Sequence, residues 1–344
     1  MMQAPYLITE TLLTSRCPVR PEFGHKGTFG RVLLCCGTPG MGGAACMAAS
    51  SALRSGAGLV YVLTDKEILA PLMTLCPEAL GLVFPETGRG ASPFLAEKAE
   101  TPAPSASSEE ESTARPKVGR SEGPLFRNGQ LVTGTSAFAR WFAEQLTGKD
   151  ACLIGPGIPP DSEKLGVMLR IAAEHAPHLV LDAGALTRLS HDGEAMEAVS
   201  RRASRGLQPA VLTPHIGEFG RLLPGYTRDD MRRAGAWAEE KKVTLVLKSH
   251  ETNIFTSDGK WYSNAVSNSG LAKGGSGDVL AGLLTGLLAQ GMTEEDASVC
   301  AVGIHSLAGR LCAKEHGRRA MLPSMLPGYY DTCFTMLKWE EGID

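Results

Sequence analysis

The sequence has few of the features that assign a chain to a specialised class of protein. Its nine cysteines include no CxxC pair and no paired Cys/His spacing, which argues against a zinc site and a disulfide framework. The longest apolar run, residues 279–289, is too short to span a bilayer and contains Gly282 and Gly286. The net charge of −3 provides no global field, so we expect neither a nucleic acid nor a membrane partner, and phosphate binding must be local.

The remaining composition is ordinary for a soluble globular protein. Hydrophobic residues make up 43% of the chain and charged residues 21%. The length of 344 residues suits one large α/β domain, with two smaller domains as the alternative. The N-terminal segment has Glu10 and alternating polar residues where a secretory signal needs an apolar run. We therefore expect a cytoplasmic protein with reduced cysteines.

Short apolar runs alternate with helix-like stretches along most of the chain. Several runs are apolar throughout, as strands covered by helices on both faces should be. The alternation predicts a three-layer α/β/α sandwich with a mostly parallel sheet. A turn at residues 257–259 predicts a hairpin, and therefore an antiparallel edge. The predicted strands are residues 31–36, 59–63, 151–154, 179–181, 210–212 and 243–247, with 253–256 and 260–263 forming the hairpin.

Residues 88–128 differ in composition from the rest of the chain. Prolines interrupt a Ser/Glu-rich stretch there that cannot form a packed core. Because the strand-like pattern resumes afterwards, we interpret this stretch as a disordered insertion within a single domain spanning residues 1–344. A linker between two domains is the alternative.

The strongest motif is the glycine-rich segment 268–278, which precedes the apolar run 279–289 and Gly291. The pattern predicts a loop that leads into a helix with a glycine stop. Glycines let backbone amides approach an anion closely, and the start of a helix adds unpaired N–H donors. The segment therefore indicates a phosphate-binding loop.

An acidic residue at this loop, Asp278, would weaken phosphate binding unless it has a chemical task. It could take the proton from a substrate hydroxyl that attacks a terminal phosphoryl group. The structural alternative is that Asp278 only caps the helix and that the glycines only form a tight turn.

Two other predicted strands end in polar segments, and ligands of open α/β sheets gather at such ends. His215 could donate to a phosphate or an amide, and Glu218 could hold metal-bound water, although both could simply form a turn and a helix cap. Lys248 could steady nucleotide phosphates as a point charge, or merely be solvated. Asp182 and residues 155–157 also follow predicted strands.

A second glycine-rich stretch, residues 37–45, follows the first predicted strand. Its small residues permit close contact with a flat ligand. It is not a dinucleotide fingerprint, because no GxGxxG falls at the strand-to-helix turn and no acid stands at the expected distance. Hydride chemistry is therefore not indicated.

Together these segments resemble the NAD(P)H-hydrate dehydratase family, whose ribokinase-like members restore hydrated NADH and NADPH. The resemblance implies a ribokinase-like fold and a reaction in which a nucleotide phosphorylates the 6-hydroxyl of the hydrated nicotinamide ring. Phosphate then leaves and the double bond returns, so the activity implied is that of a carbon–oxygen lyase in metabolite repair. The matching stretches are residues 25–30, 37–64, 155–157, 181–186, 213–219, 245–252 and 268–291.

The resemblance also implies roles for individual residues. Asp278 would be the base at the 6-hydroxyl and, with Ala44, Gly157 and His215, would contact the hydrated dinucleotide. Glu218 stands in the place of a metal-organising acid, which implies Mg²⁺ beside the co-substrate, ADP or ATP. The adenine nucleotide would be bound by Lys248, Ser249, His250, Glu251, Thr252 and Gly277, and the anion hole formed by Gly274, Gly275, Ser276 and Gly277.

Four positions depart from the family pattern: Gly184 replaces an acid, Ser249 replaces a glycine, Lys273 replaces a small or hydroxylated residue, and Gly42 replaces the proline that usually precedes Gly43. Two alternatives stay open. One is a ribokinase-like kinase for a small molecule such as a vitamin precursor, whose product would keep the phosphate. The other is a non-catalytic nucleotide sensor. ADP is the favoured nucleotide, and the oligomeric state, including a homo-oligomer, is open.

Overall fold

The computed structural model describes residues 4–18, 20–85, 126–127, 130–131 and 137–339. The strands are β1 Tyr6–Leu7, β2 Arg31–Cys35, β3 Leu59–Thr64, β4 Leu80–Val83, β5 Phe126–Arg127, β6 Gln130–Leu131, β7 Ala151–Ile154, β8 His178–Leu181, β9 Val211–Leu212, β10 Thr244–Leu247, β11 Thr252–Phe255 and β12 Trp261–Asn264. The helices are α1 Glu10–Thr14, α2 Gly42–Arg54, α3 Leu69–Leu75, α4 Ala137–Leu146, α5 Glu163–His175, α6 Gly184–Leu189, α7 Gly193–Ser200, α8 Ile216–Leu222, α9 Met231–Lys241, α10 Ser276–Ala289, α11 Glu294–Ala320 and α12 Tyr330–Met336. Short 3₁₀ segments are Lys66–Ile68, Ala203–Arg205, Ser269–Leu271 and Pro323–Tyr329.

In the described residues, ten strands form one sheet in the order β1-β12-β11-β10-β9-β8-β7-β2-β3-β4. Neighbouring strands are parallel except β11, which is antiparallel to β10 and β12. The six predicted strands, the hairpin and the mostly parallel sheet are confirmed. Sequence reasoning missed β4, which pairs with β3 at the other end of the sheet, and β1, which pairs with β12 outside the hairpin. The two residues of β1 carry no periodic signal.

Helices cover both faces of the sheet, and β2 shows why its residues are apolar after the exposed Arg31. Successive side chains of a strand point to opposite faces. Val32 and Leu34 belong to a buried cluster with residues of α2, α10 and α11, whereas Leu33 and Cys35 belong to a second cluster with residues of α4 to α9. The described residues therefore form two hydrophobic cores, one on each face, and the predicted three-layer sandwich is confirmed.

The predicted glycine-bearing helix is α10, and Gly291, with a φ of +92°, follows its end. A Cβ on Gly282 would lie 2.2 Å from the carbonyl oxygen of Ala48, and one on Gly286 would lie 2.0 Å from Ser55 Oγ. The two glycines therefore let α10 pack directly against α2. The same packing places the starts of both helices side by side at one edge of the sheet.

Apart from β5, which pairs with β6 in a separate ladder, the predicted insertion at residues 88–128 lies outside the described residues. The assignment of residues 1–344 to a single domain stays a prediction. Of the helices that the structure describes, none combines the length and the apolar character that crossing a membrane requires.

Candidate active site

Three parallel strands end beside a cavity of about 790 Å³. Asp182 follows β8, His215 lies three residues beyond β9, and Lys248 follows β10. Residues 274–278, at the start of α10, line the same cavity. A cavity of this size suits a small-molecule ligand. The fold thus brings together polar segments that lie far apart in the sequence.

Among the described residues no side chain caps the N–H groups at the start of α10, so these backbone donors remain available. Gly275 is the N-cap with a φ of +99°, and a Cβ there would lie 2.4 Å from Met47 Sδ. The first helical bond runs from Val279 N to the Gly275 carbonyl. The N–H groups of Gly277 and Asp278 have no acceptor among the described residues. They and the helix dipole are available to an anion, and the anion hole at residues 274–277 stays a prediction.

Asp278 lies in the first turn of α10, and its carboxylate accepts no hydrogen bond from the described residues. A capping role is therefore not what the side chain performs. Burial raises the pKa of Asp278 to about 6, and the negative charge of Asp182 adds to the increase, whereas Lys248 opposes it. A carboxyl with this pKa is mostly ionised at neutral pH, yet its pKa is close enough to neutral pH for it to accept a proton readily, as a general base requires.

Lys248 forms an ion pair with Asp182, with 2.7 Å between Nζ and Oδ1. Burial lowers the pKa of Lys248, but Asp182, Glu218 and Asp278 together raise it above its ordinary value. A Cβ on Gly277 would lie 3.0 Å from Lys248 Nζ, so the glycine lets the ammonium group approach the loop. Lys248 is thus a permanently charged group beside the anion site, and it shares its charge with Asp182.

His215 and Glu218 form a capping box at the start of α8. The His215 N–H donates to Glu218 Oε2 at 2.8 Å, and His215 Nδ1 accepts from the N–H of Gly217 at 3.0 Å and of Glu218 at 3.3 Å. Because Nδ1 is an acceptor, the proton of the neutral ring is on Nε2. The helix cap and the functional role are therefore compatible, since the cap holds Nε2–H as a donor at the cavity.

Ala44 and Gly157 do not line this cavity. They lie together at the ends of β2 and β7, where a Cβ on Gly157 would be 3.0 Å from Ala44 Cβ. Gly157 has a φ of +65°, and its carbonyl accepts from Thr38 Oγ1 at 2.8 Å. The pKa of Cys36, at the end of β2, is raised by burial and by the charge of Asp278. Asp278 therefore lines the cavity and also acts electrostatically on the end of β2.

The segment after β10 is a compact turn at the rim of the cavity. Ser249 Oγ donates to the Glu251 carbonyl at 2.6 Å and accepts from the Glu251 N–H at 3.2 Å. His250 is in contact with Arg228. The predicted nucleotide-binding residues that line the cavity are Lys248, Ser249, His250, Thr252 and Gly277; Glu251 does not.

Two of the departures from the family pattern have structural explanations. A Cβ on Gly184 would lie 1.9 Å from the Ile158 carbonyl oxygen, so the backbone packing admits only glycine. Lys273 Nζ donates to the carbonyl oxygens of Arg319 at 2.7 Å and Met321 at 2.5 Å. Lys273 therefore ties the glycine loop to the end of α11 and neutralises carbonyls at a helix C-terminus.

The sequence analysis did not predict that α11 forms one wall of the cavity. His305 Nε2 lies 3.1 Å from the Ser276 carbonyl oxygen, and burial lowers the pKa of His305 to about 4. The neutral ring of His305 thus donates a hydrogen bond from Nε2–H to the backbone carbonyl of Ser276 in the glycine loop. Val302 and Ser306 line the cavity beside it. The available signal was a polar pair, His305-Ser306, inside an otherwise apolar helical run.

No group of three or more His, Cys, Asp or Glu side chains in the described residues could hold a metal ion. Glu218 is the residue predicted to organise Mg²⁺. Its Oε2 accepts from the His215 N–H, which leaves Oε1 for a water-mediated contact. Mg²⁺ usually keeps several waters and binds through one or two carboxylates plus phosphate oxygens, so this donor set fits the ion only together with a nucleotide.

Comparisons with known proteins extend these findings. The model of the NAD(P)H-hydrate dehydratase family matches residues 32–101 and 128–330. The bifunctional NAD(P)H-hydrate repair enzyme Nnr of Moorella thermoacetica is 32% identical over 321 residues, which cover 92% of this chain and 51% of that enzyme. The ADP-dependent (S)-NAD(P)H-hydrate dehydratase of Enterococcus faecalis is 30% identical over 313 residues, covering 89% and 86% of the two chains. The chain spans about half the length of the first curated relatives that it matches.

Solved structures share the fold. A ribokinase-like superfamily protein of Enterococcus faecalis is similar with a TM-score of 0.73, 25% identity and 99% coverage of both chains. An ADP/ATP-dependent NAD(P)H-hydrate dehydratase of Bacillus subtilis, co-crystallised with ATP/Mg²⁺, has a TM-score of 0.71 and 24% identity, covering 98% of this chain and 100% of that chain. The predicted ribokinase-like fold is confirmed.

Proposed function

The chain belongs to the NAD(P)H-hydrate dehydratase family, and on that premise we propose that it converts the S form of hydrated NADH and NADPH back to NADH and NADPH. The co-substrate is ADP, with ATP as the alternative. The observation that carries the proposal is Asp278, a half-buried carboxyl that accepts no hydrogen bond from the described residues and stands at the glycine loop. Because a repair enzyme must meet both NADH and ADP, we place it in the cytoplasm.

Asp278 acts first, as the general base. The oxygen of the 6-hydroxyl attacks the terminal phosphorus of ADP while its proton passes to Asp278, and the bond between that phosphorus and the leaving AMP breaks. The pKa of about 6 leaves the carboxyl mostly ionised at neutral pH, so it is ready to accept the proton. Holding the two reactants and the base together supplies much of the rate.

Elimination follows from the same pocket. The bond between ring carbon 6 and the ester oxygen breaks, phosphate leaves with the electron pair, and the adjacent ring carbon passes its proton to the departing phosphate as the double bond forms. The backbone donors at Gly277 and Asp278 stabilise the phosphate oxygens in both steps, and Lys248 adds a positive charge. The overall products are the restored dinucleotide, AMP and phosphate.

The charges that line the cavity create a need for Mg²⁺. The carboxylates that line the cavity are Asp182, Glu218 and Asp278. The ammonium group of Lys248 is already bonded to Asp182, and that of Lys273 is bonded to backbone carbonyls. A nucleotide would bring further negative charge. Mg²⁺, held by phosphate oxygens and by water on Glu218, would supply the neutralising charge when bound.

The hydrated dinucleotide would lie on the side of Asp278 toward Gly157 and Ala44, away from the nucleotide. Gly157 and Ala44 together present a flat surface of small residues. They lie so close together that a Cβ on Gly157 would be only 3.0 Å from Ala44 Cβ. His215 offers Nε2–H to a carboxamide or phosphate oxygen of the same ligand. This arrangement would leave the glycine loop and residues 248–252 to the nucleotide.

The decisive experiment incubates the full chain with hydrated NADH, Mg²⁺ and either ADP or ATP. We expect the NADH absorbance to return, with one AMP and one phosphate released per NADH when ADP is used. No return of absorbance with either nucleotide would refute the dehydratase assignment. Accumulation of a phosphorylated small molecule would instead favour the kinase alternative, and nucleotide binding without any turnover would favour the sensor.

A further inference from the structure

Two serines of α11, Ser298 and Ser306, bury hydroxyl groups that have no hydrogen-bond partner among the described residues. The side chain of Ser298 is fully buried, and Ser306 is 6% exposed. Such hydroxyls are uncommon, because an unpaired buried polar group destabilises the fold. The two serines differ in one respect: Ser306 lines the candidate active-site cavity, and Ser298 does not.

Ser306 lies on the wall that separates the large cavity from a smaller neighbouring one of about 310 Å³. Asn264 and Val266 line both cavities with it. His305, the preceding residue, contacts the glycine loop at Ser276. Ser306 therefore stands beyond the loop, on the side of the cavity toward β12.

The surroundings of Ser306 are those of a nucleoside site rather than a phosphate site. Val266, Leu271 and Val302 line the cavity around it with apolar side chains. Leu271 packs against α11, where a Cβ on Gly309 would lie 3.0 Å from its Cδ2. Phosphates need charged groups or clustered N–H donors, and those are at the loop and Lys248. Asn264, Ser267 and Asn268 also line this cavity and add uncharged polar groups. A flat base and a sugar fit a wall of apolar side chains with a few uncharged polar groups.

We infer that Ser306 is a specificity-determining contact for the nucleoside end of the bound nucleotide. Its hydroxyl gives up no existing hydrogen bond when it turns toward the ligand, and it gains the partner that it lacks. The inference rests on the proposed function, because it assumes that the phosphate end occupies the glycine loop. The contact would select for a nucleotide over pyrophosphate or another simple phosphate.

The test measures binding rather than turnover. Calorimetry on the full chain would compare ADP, adenosine and pyrophosphate for the wild type, Ser306→Ala and the matched control Ser298→Ala. We expect Ser306→Ala to weaken the binding of ADP and adenosine about threefold to tenfold, the effect of one neutral hydrogen bond, and to leave pyrophosphate unchanged. Ser298→Ala should change none of the three. Thermal unfolding should show both variants at least as stable as the wild type.

Unchanged ADP affinity in Ser306→Ala, an equal loss in Ser298→Ala, or an equal loss for pyrophosphate would each overturn the inference. Failure of the proposed function has a different signature. In that case wild-type protein and Ser306→Ala would still differ in ADP affinity, but neither would restore hydrated NADH.

Discussion

Replacing Asp278 by asparagine should make the protein more stable while removing most of its activity. The side chain keeps its shape but loses a charge that is buried near Asp182 and Glu218. The pKa of Asp278 rises from 3.8 to about 6 on folding. A difference of about two units, at about 1.4 kcal/mol each, corresponds to roughly 3 kcal/mol by which the ionised carboxylate destabilises the fold at neutral pH.

The sign of the pH dependence follows from the direction of the shift. Because the native pKa is raised, the destabilisation is fully present above about pH 6 and disappears as the pH falls toward the unfolded value of 3.8. Urea unfolding at pH 7.5 should therefore show Asp278→Asn more stable than the wild type by about 3 kcal/mol. The difference should shrink toward zero near pH 4. Turnover should fall by about 10²- to 10⁴-fold, the usual contribution of a general base.

Asp161→Asn is the matched control, since Asp161 is exposed and far from α10 in the sequence. It should alter neither stability nor turnover. The reasoning is refuted if Asp278→Asn is less stable than the wild type at pH 7.5, or if its stability advantage does not depend on pH. Unchanged turnover would show that another group removes the proton.

Three further predictions concern the same edge of the sheet. The acid limb of the wild-type pH–rate profile should lie near pH 6, and Asp182→Asn should move it to lower pH because a negative neighbour of Asp278 is removed; an unmoved or raised limb contradicts this. Gly184→Ala should destabilise the fold by about 2–3 kcal/mol in urea unfolding, because the new alanine Cβ would clash with the Ile158 carbonyl oxygen. Unchanged stability would exclude that clash. Ala183 has a φ of +50°, which strains a non-glycine residue, so Ala183→Gly should stabilise by about 1 kcal/mol in the same assay; a loss would mean that the strain is absent.

Much of the fold could be predicted from local pattern. The run that became β7 is apolar throughout, and those that became β2 and β10 are apolar after their first residue, because helices cover both faces; that composition is visible without coordinates. The glycines of the loop were equally visible, because Gly275 needs a positive φ that few other residues adopt. The two-residue strand β1 was not, because its place in the sheet depends on a partner more than 250 residues away.

Roles at the site were harder to predict because they depend on neighbours that are distant in sequence. The sequence alone does not explain the charge of Lys273 in the loop. In the structure its ammonium group donates hydrogen bonds to backbone carbonyls at the end of α11. Gly184 looked like a lost acid, and the structure makes it a steric requirement. His215 and Glu218 had two competing interpretations; the capping box confirms the helix cap, and their functional roles stay a prediction.

The sequence by itself determined the alternation of strands and helices, the loop at the start of α10 and the presence there of an acid, Asp278. These follow from backbone conformation and local hydrophobic pattern, which act over a few residues. Only the tertiary structure decided the electrostatic state of that acid. Its raised pKa depends on burial and on Asp182, Glu218 and Lys248, which parallel strands bring to one edge of the sheet from separate parts of the chain. Burial and Coulomb interactions act through space, so local pattern does not encode them.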